Sequence, residues 1–248
     1  VYPERRDFTA DLLNGLPLIV TSHRGSSAFN LSPYQGDESE IKPVIKYSYD
    51  NERLTPYSYS AYLDEQQTNV NFGLSSQSAM YEINFEKDED VFLIINSRKG
   101  AINWDGSAVI GYQTIENDTK IYLYMMPEQK PEEISILKDG SLSEATNSTG
   151  RNACLVLKYP KGIRKIQVRY GISFIDAKQA ESNYKREVEG RGLTSIQNTA
   201  RQIWNEALGK IEVDGGVEKD KTILYTSLYR CYERPVNLSE DGRYFSAF

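Results

Sequence analysis

The sequence predicts a mainly β chain, an antiparallel sandwich or barrel, followed by two to three helices. Three observations lead there. Short segments of alternating apolar and polar residues recur at roughly ten-residue spacing, with Gly, Asn and Asp turn signals between them. No helical period competes with them before Asp176. Beyond that residue, amphipathic helical segments take over and run towards the C-terminal end.

Residues 1–40 read as irregular and rich in Gly, Ser and Pro, with a short strand from Leu16 to Thr21 entering the polar turn SHRGSS. Tyr47 and Tyr49 alternate, and Tyr57, Tyr59, Ala61 and Leu63 alternate again after Pro56. Val70, Phe72 and Leu74 form a third set. Tyr81, Ile83 and Phe85 form a fourth, ended by the charged run EKDED. VFLII (91–95) is continuously apolar, as in a strand covered on both faces. A strand from Ala108 to Tyr112 follows NWDG, which has hairpin-turn chemistry. KIYLYMM (120–126), ISIL (134–137), ACLVLKY (153–159) and KIQVRYGISFI (165–175) complete the β region. KDGSLSEATNSTG (138–150) reads as its most mobile loop.

The β region therefore spans residues 1–175 and a helical connector spans 176–248. Asp176 caps the first helix, with Gln179 three residues on and Gly190 at its end. Thr194 and Gln197 repeat the capping pattern for the second helix. Ile196, Ala200, Ile203, Trp204, Ala207 and Leu208 form its apolar face, which makes Trp204 a packing residue. Ile211 and Val213 make a short strand closed by Asp214-Gly215-Gly216. The third helix, 218–233, carries Ile223, Leu224, Tyr225, Leu228, Tyr229, Cys231 and Tyr232 around most of its circumference. Such a helix needs apolar neighbours on several sides, and one sheet face covers only one. The aromatic tail GRYFSAF adds to this. The expectation is that a helical domain follows and that the gene continues beyond Phe248.

Composition narrows the function. A net charge of −6 and a pI near 5.1 argue against nucleic acid and anionic membrane surfaces as partners. No apolar run is long enough to insert into a membrane, and no signal segment is present. The 18 tyrosines suit partly exposed sheet faces, and they equally suit a sugar-binding surface. Cys154 and Cys231 have no metal or redox spacing, and both are expected to be free and buried.

The chemistry is limited by a single histidine, His23. Histidine-rich metal sites are excluded, and no cysteine cluster replaces them. A Ser-His-Asp triad would have to use His23, which no nucleophile-elbow sequence accompanies. Nucleotide-binding glycine patterns are absent, and EKDED lacks the glycine and spacing of a calcium loop. A glycosidase-type carboxylate pair meets only in the fold, so spacing among 35 carboxylates cannot identify one. No catalytic residue or metal ligand is assigned to this chain. For His23-Arg24 two readings stay open: a surface turn with a local hydrogen bond, or a loop reaching a sugar. Trp104 likewise is either an edge-packing residue or a stacking platform.

The stretch VRYGISFIDAKQAESNYKREV, then ARQIWNEALGKIEVDGG, then TILYTSLYRCYERP closely resembles the connector of glycoside hydrolase family 92. These are bacterial exo-acting α-mannosidases. TPYSYSAYLDEQQTNVNFGLSSQSAMYEINF resembles the family's strands before that connector. EDGRYFSAF resembles the point where the family chain enters its catalytic domain. The resemblance implies a large antiparallel β-sandwich of the supersandwich type, linked by helices to an (α/α)6 barrel. It also implies calcium-dependent, inverting hydrolysis of mannose-containing glycans, with an α-1,2 preference and an extracytoplasmic location. In that scheme an acid protonates the leaving oxygen while a carboxylate base activates water on the opposite face. Acid, base and calcium ligands all belong to the barrel, and none is carried onto these residues.

What the resemblance gives the sandwich is a place beside the cleft. It would shape that cleft, with the chain's own catalytic domain and a glycan at the interface as partners. A histidine-bearing loop of the family sandwich approaches the sugar, and SHRGSS is its counterpart, with His23 matched. The family's second histidine is unmatched, and Arg24 intrudes. That departure points to an altered linkage preference or an inactive paralogue. Tyr244, near the domain crossing, is the other position implied beside the cleft. The alternative function is a stand-alone carbohydrate-binding or surface-interaction sandwich, for which His23, Arg24, Trp104 and Tyr244 would be the binding residues.

Overall fold

The computed structural model describes residues 12–20, 27–232 and 237–246. The first strands are β1 (Leu13–Asn14), β2 (Leu16–Val20), β3 (Ser27–Gln35), β4 (Lys46–Tyr47) and β5 (Tyr49–Thr55). Next come β6 (Ser58–Leu63), β7 (Thr68–Leu74), β8 (Ser78–Phe85), β9 (Val91–Trp104) and β10 (Val109–Thr114). Then follow β11 (Lys120–Pro127), β12 (Glu133–Lys138), β13 (Ser141–Ser143), β14 (Asn147–Tyr159) and β15 (Lys165–Ser173). Three helices succeed them: α1 (Ala177–Glu187), α2 (Leu193–Leu208) and α3 (Glu218–Cys231). A small hairpin, β16 (Ser239–Glu240) and β17 (Arg243–Tyr244), closes the described chain.

One large antiparallel sheet runs β13-β12-β14-β9-β10-β11-β15-β8-β7-β6-β5, and β2–β3 branches from β9. The branch turns this sheet into two facing layers. Residues 91–96 of β9 pair with β3, whereas its residues 100–104 pair with β10. Between the halves Arg98 and Lys99 are exposed at a corner. β14 follows the same corner: its pairing with β9 lapses for one residue on each strand, Asn152 opposite Arg98, with no change of register, and Asn152 takes a positive φ of 53° there. Gln113 holds the corner from within: its Oε1 accepts from the amides of Phe29 (3.0 Å) and Arg98 (3.1 Å). Gly100 sits against β10 so closely that a Cβ would lie 1.9 Å from the Tyr112 carbonyl oxygen.

The layers share one core. Leu31, Leu93, Ile95, Leu155 and Leu157 from one side meet Tyr81, Ile83, Leu123, Val168 and Tyr170 from the other. Two tyrosines also bond across it, Tyr81 Oη to the Pro17 carbonyl (3.0 Å) and Tyr170 Oη to the Leu18 carbonyl (2.7 Å). A hydroxyl buried among apolar side chains needs such a partner. The run VFLII is covered on both faces, as expected. Val91, Leu93 and Ile95 join this core, and Phe92 and Ile94 join a second cluster with Tyr34, Ile41, Leu137, Cys154 and Val156.

α1 and α2 cover the outer face of the other layer, where Met80, Tyr124, Ala180, Tyr184, Val188 and Ile196 form a third cluster. The approach of α1 is close enough to require glycine in β15. A Cβ on Gly171 would lie 2.3 Å from the Ala180 carbonyl oxygen and 2.6 Å from the Tyr184 amide nitrogen. Both obstacles are backbone, so no side-chain rotation relieves them. Further along, α2 lies over β7 at Gly73, and Gln197 Nε2 donates to the Phe72 carbonyl (3.0 Å).

Local expectations fail where tertiary contacts outweigh local ones. Residues 138–150 supply β13 and the start of β14, because the chain continues the ladder along β9 around the corner. Asp176 does cap α1, its Oδ1 accepting from the Gln179 amide at 2.7 Å. Thr194 does not cap α2. That helix starts at Leu193 with Gly192 as its cap, since Leu193 packs into the third cluster and Gln197 is committed to β7. Ile211 and Val213 form no strand and are exposed. Ile203 of the expected α2 face is 58% exposed, and no residue of α3 is buried. The main ring contacts of α3 are those of Tyr229 and the adjoining Tyr232 with Trp204. Cys154 is buried, but Cys231 on α3 is exposed, contrary to expectation.

Two measurements check this packing. Gly171→Ala should destabilise the chain by about 1–3 kcal/mol in urea unfolding, the cost of forcing an extra carbon into a filled interior; an unchanged midpoint would refute the close approach of α1. Burial pushes the Cys154 thiol up to about 12, so the native chain at neutral pH should titrate one thiol with a disulfide reagent and the unfolded chain two. Two rapid equivalents in the native chain would contradict the buried position.

Candidate functional site: the α1–hairpin end of the sandwich

At one end of the helix-covered layer the sheet, α1 and the terminal hairpin converge on a buried polar network. Its origin lies in α1. Gln179, Asn183 and Glu187 are all buried, at i, i+4 and i+8, so they form one polar stripe on an inward face. The hairpin supplies the complementary groups. Asp241 and Gly242 both have positive φ (50° and 76°), the geometry of a two-residue turn that suits Asp-Gly. That turn lets Glu240 pair with Arg243 and points the Glu240 and Asp241 carboxylates at α1.

Glu240 is 2% exposed. Its Oε1 accepts from the Phe174 amide (2.9 Å), just past β15, and its Oε2 accepts from Asn183 Nδ2 (2.8 Å). Asn183 Nδ2 also donates to the Ile172 carbonyl (2.8 Å), while its Oδ1 accepts from Gln179 (3.0 Å) and Arg186 (2.7 Å). All four hydrogen-bonding positions of that amide are thus used. Asp241 accepts from Gln179 (2.7 Å) and, through both oxygens, from Arg186 (2.8 and 2.9 Å). Arg243 returns to α1 by bonding Gln179 and Asp176. Glu187 Oε2 accepts from the Gln77 amide (2.9 Å), tying α1 to the loop before β8.

Beside this network lies a hollow of about 110 Å³ lined by Ile19, Ser76, Gln77, Phe174, Leu238 and Glu240 among others. A second, of about 120 Å³, adjoins it through Ser76 and Gln77. Ile19 pairs with Ala28 of β3, one position before the last turn-ward pair of the ladder, Val20 with Ser27. The residues flanking SHRGSS therefore sit at the same end of the sandwich as the hairpin. His23 and Arg24 themselves lie outside the described residues.

Tyr244 is 74% exposed on β17, opposite Ser239. Trp104 is not a surface platform. It is 7% exposed and part of the main core. Asp105 collects the turn amides of Ser107 (2.9 Å) and Ala108 (2.8 Å), so the hairpin tightens at once and Trp104 stays paired with Val109. Alternation along β9 then sends Ile102 and Trp104 inward. Of the sequence-derived site residues, Tyr244 alone is described on an open surface. The network of Gln179, Asn183, Arg186, Glu240 and Asp241 was missed, although the 179/183/187 spacing and the Asp-Gly turn were visible signals.

The carboxylates here are occupied by N–H donors. Among the described residues no three His, Cys, Asp or Glu side chains come together as a metal site.

Residues 8–173 match the glycosyl hydrolase family 92 N-terminal domain, more than half of the chain. The chain belongs to glycoside hydrolase family 92. Residues 179–248 match the family 92 catalytic domain, so α1, α2, α3 and the hairpin fall on that side of the family's boundary. Solved family 92 structures share the fold. An inverting mannosidase of Bacteroides thetaiotaomicron VPI-5482 is 25% identical with a TM-score of 0.73, over 82% of this chain and 29% of that one. An α-mannosidase of Bacteroides thetaiotaomicron is 17% identical with a TM-score of 0.84, over 94% of this chain and 36% of that one. The chain thus spans about a third of the length of these structures. Among curated proteins no relative matches.

The network carries its own pH signature. The Gln179 amide and the Arg186 guanidinium hold the Asp241 carboxyl below the usual aspartate value. A carboxylate preferred in the folded state adds stability that is complete above the unfolded value, about pH 4, and is lost as pH falls through the lowered folded value. Carboxyl NMR titration should place the Asp241 midpoint below the ordinary value, and Arg186→Ala should raise it. A midpoint at or above the ordinary value in the native chain would contradict the pairing.

Proposed function

We propose that this chain is the N-terminal, non-catalytic part of a family 92 exo-α-mannosidase acting on mannose-containing glycans. The observation that carries the reading is the succession of the two family domains, in order, on a fold shared with solved mannosidases. In this reading the rest of the catalytic domain covers the exposed apolar faces of α2 and α3, where Ile203, Ile223 and Leu224 lie open. Exposed large apolar side chains on adjacent helices suit an interdomain contact. The sandwich end that carries Tyr244 and the flanks of SHRGSS borders the substrate cleft. Acid, base and calcium ligands come from the remainder of the catalytic domain, and the enzyme works outside the cytoplasm.

One solved relative, an α-mannosidase of Bacteroides thetaiotaomicron, was obtained in complex with mannoimidazole, which makes that compound a suitable probe. The full-length protein should release mannose from α-mannosides with inversion, read by the first anomer in NMR. The 248-residue chain alone should show no turnover. His23→Ala or Tyr244→Ala in the full-length protein should lower kcat/KM by roughly tenfold or more, the loss of one polar contact to the sugar. No hydrolysis of any α-mannoside by the full-length protein, or full activity in the 248-residue chain, would overturn the assignment.

A further inference from the structure

We propose that the Ser239–Tyr244 hairpin is a latch that fastens the opening part of the catalytic-domain segment to the sandwich, so that α1 and the hairpin move with the N-terminal domain. The family boundary falls between residues 173 and 179. The physical attachments do not respect it. The α1 backbone rests directly on Gly171 of β15. The hairpin then reaches back to the boundary, where Glu240 closes on the Phe174 amide at 2.9 Å, and past it, where the Ser239 carbonyl accepts from Gln77 Nε2 at 3.5 Å.

The latch is keyed by donor and acceptor direction. Asn183 is 0% exposed. Its amide cannot be flipped, because its oxygen already receives Gln179 and Arg186 while its nitrogen already gives to Ile172. What remains is one N–H aimed at the hairpin, next to the N–H of Phe174. Two convergent donors in a buried position require an acceptor with no protons of its own, and the carboxylate of Glu240 meets that need. Asp241 forms a second, more exposed attachment to Gln179 and Arg186. By contrast α3, which precedes the hairpin in the chain, buries no residue. Packing on the sandwich thus continues past 173–179 through the first half of α2, where Ile196 and Ala200 are buried, and resumes at the hairpin, with the end of α2 and α3 standing off it between them. The consequence for the cleft rests on the proposed function: Tyr244 would be held in register with the sandwich, whatever the barrel does.

Hydrogen exchange and proteolysis of the 248-residue chain test the latch without any sugar. In the unaltered chain the Phe174 amide should exchange slowly and resonate downfield, as an N–H donating to a carboxylate. Glu240→Ala should abolish the downfield shift and speed exchange of that amide roughly ten- to a hundredfold, the loss of a buried charged hydrogen bond. Trypsin should then cut first after Arg243, with α1 amides such as Val188 still protected. Asp241→Asn, at the exposed attachment, should fold normally and speed Phe174 exchange by about two- to fivefold. Unchanged Phe174 exchange in both variants, or an unprotected Phe174 amide in the unaltered chain, would overturn the proposal. A latch that passes these tests in a protein with no mannosidase activity would leave it standing and remove only the functional reading.

Discussion

Everything after the sandwich depends on a backbone-to-backbone approach at Gly171. No side chain larger than hydrogen fits between β15 and the turn of α1 that carries Ala180 and Tyr184. That closeness orients α1. It brings Ala180, Tyr184 and Val188 onto Met80 and Tyr124, and it presents Gln179, Asn183 and Glu187 to the sheet end. Without that orientation the hairpin carboxylates would have no partners, and α2 would have no fixed point from which to cross β7.

A comparable constraint shapes the sandwich itself. β9 is shared by both layers and must turn a corner between them. The turn rests on Gly100, on the positive φ of Asn152 in the adjacent strand and on Gln113 as an internal brace. Both devices place backbone where side chains would ordinarily keep elements apart. The cost is a pair of buried polar groups, Gln113 and Asn183, whose hydrogen bonds are satisfied from several elements at once.

The sandwich was legible because alternation and turn residues are local signals, and VFLII announced burial on both faces. The helices were legible for the same reason, with Asp176 capping as its spacing requires. Trp104 was not, because whether a hairpin aromatic points in or out depends on the strand's phase relative to a distant layer. The α2 start was also lost to tertiary contact, with Leu193 and Gln197 engaging the sheet in place of a Thr194 cap. The network around Glu240 was the least visible, since its partners lie 57 and 66 residues away along the chain. The Asp-Gly turn marks a hairpin beside Glu240 and the 179/183/187 spacing marks a polar stripe on α1, but that the two meet follows only once α1 is laid on β15.

The family boundary and the packing boundary therefore differ, and the difference places the Tyr244 surface on the sandwich side of the molecule. A distance measurement between spin labels tests this most directly. Labels at Ser141→Cys on the sandwich and Tyr244→Cys on the hairpin, with exposed Cys231 replaced by serine and buried Cys154 left in place, report whether the two move together. A single narrow distance distribution is predicted. A broad or multiple distribution, with the sandwich intact, would contradict the account.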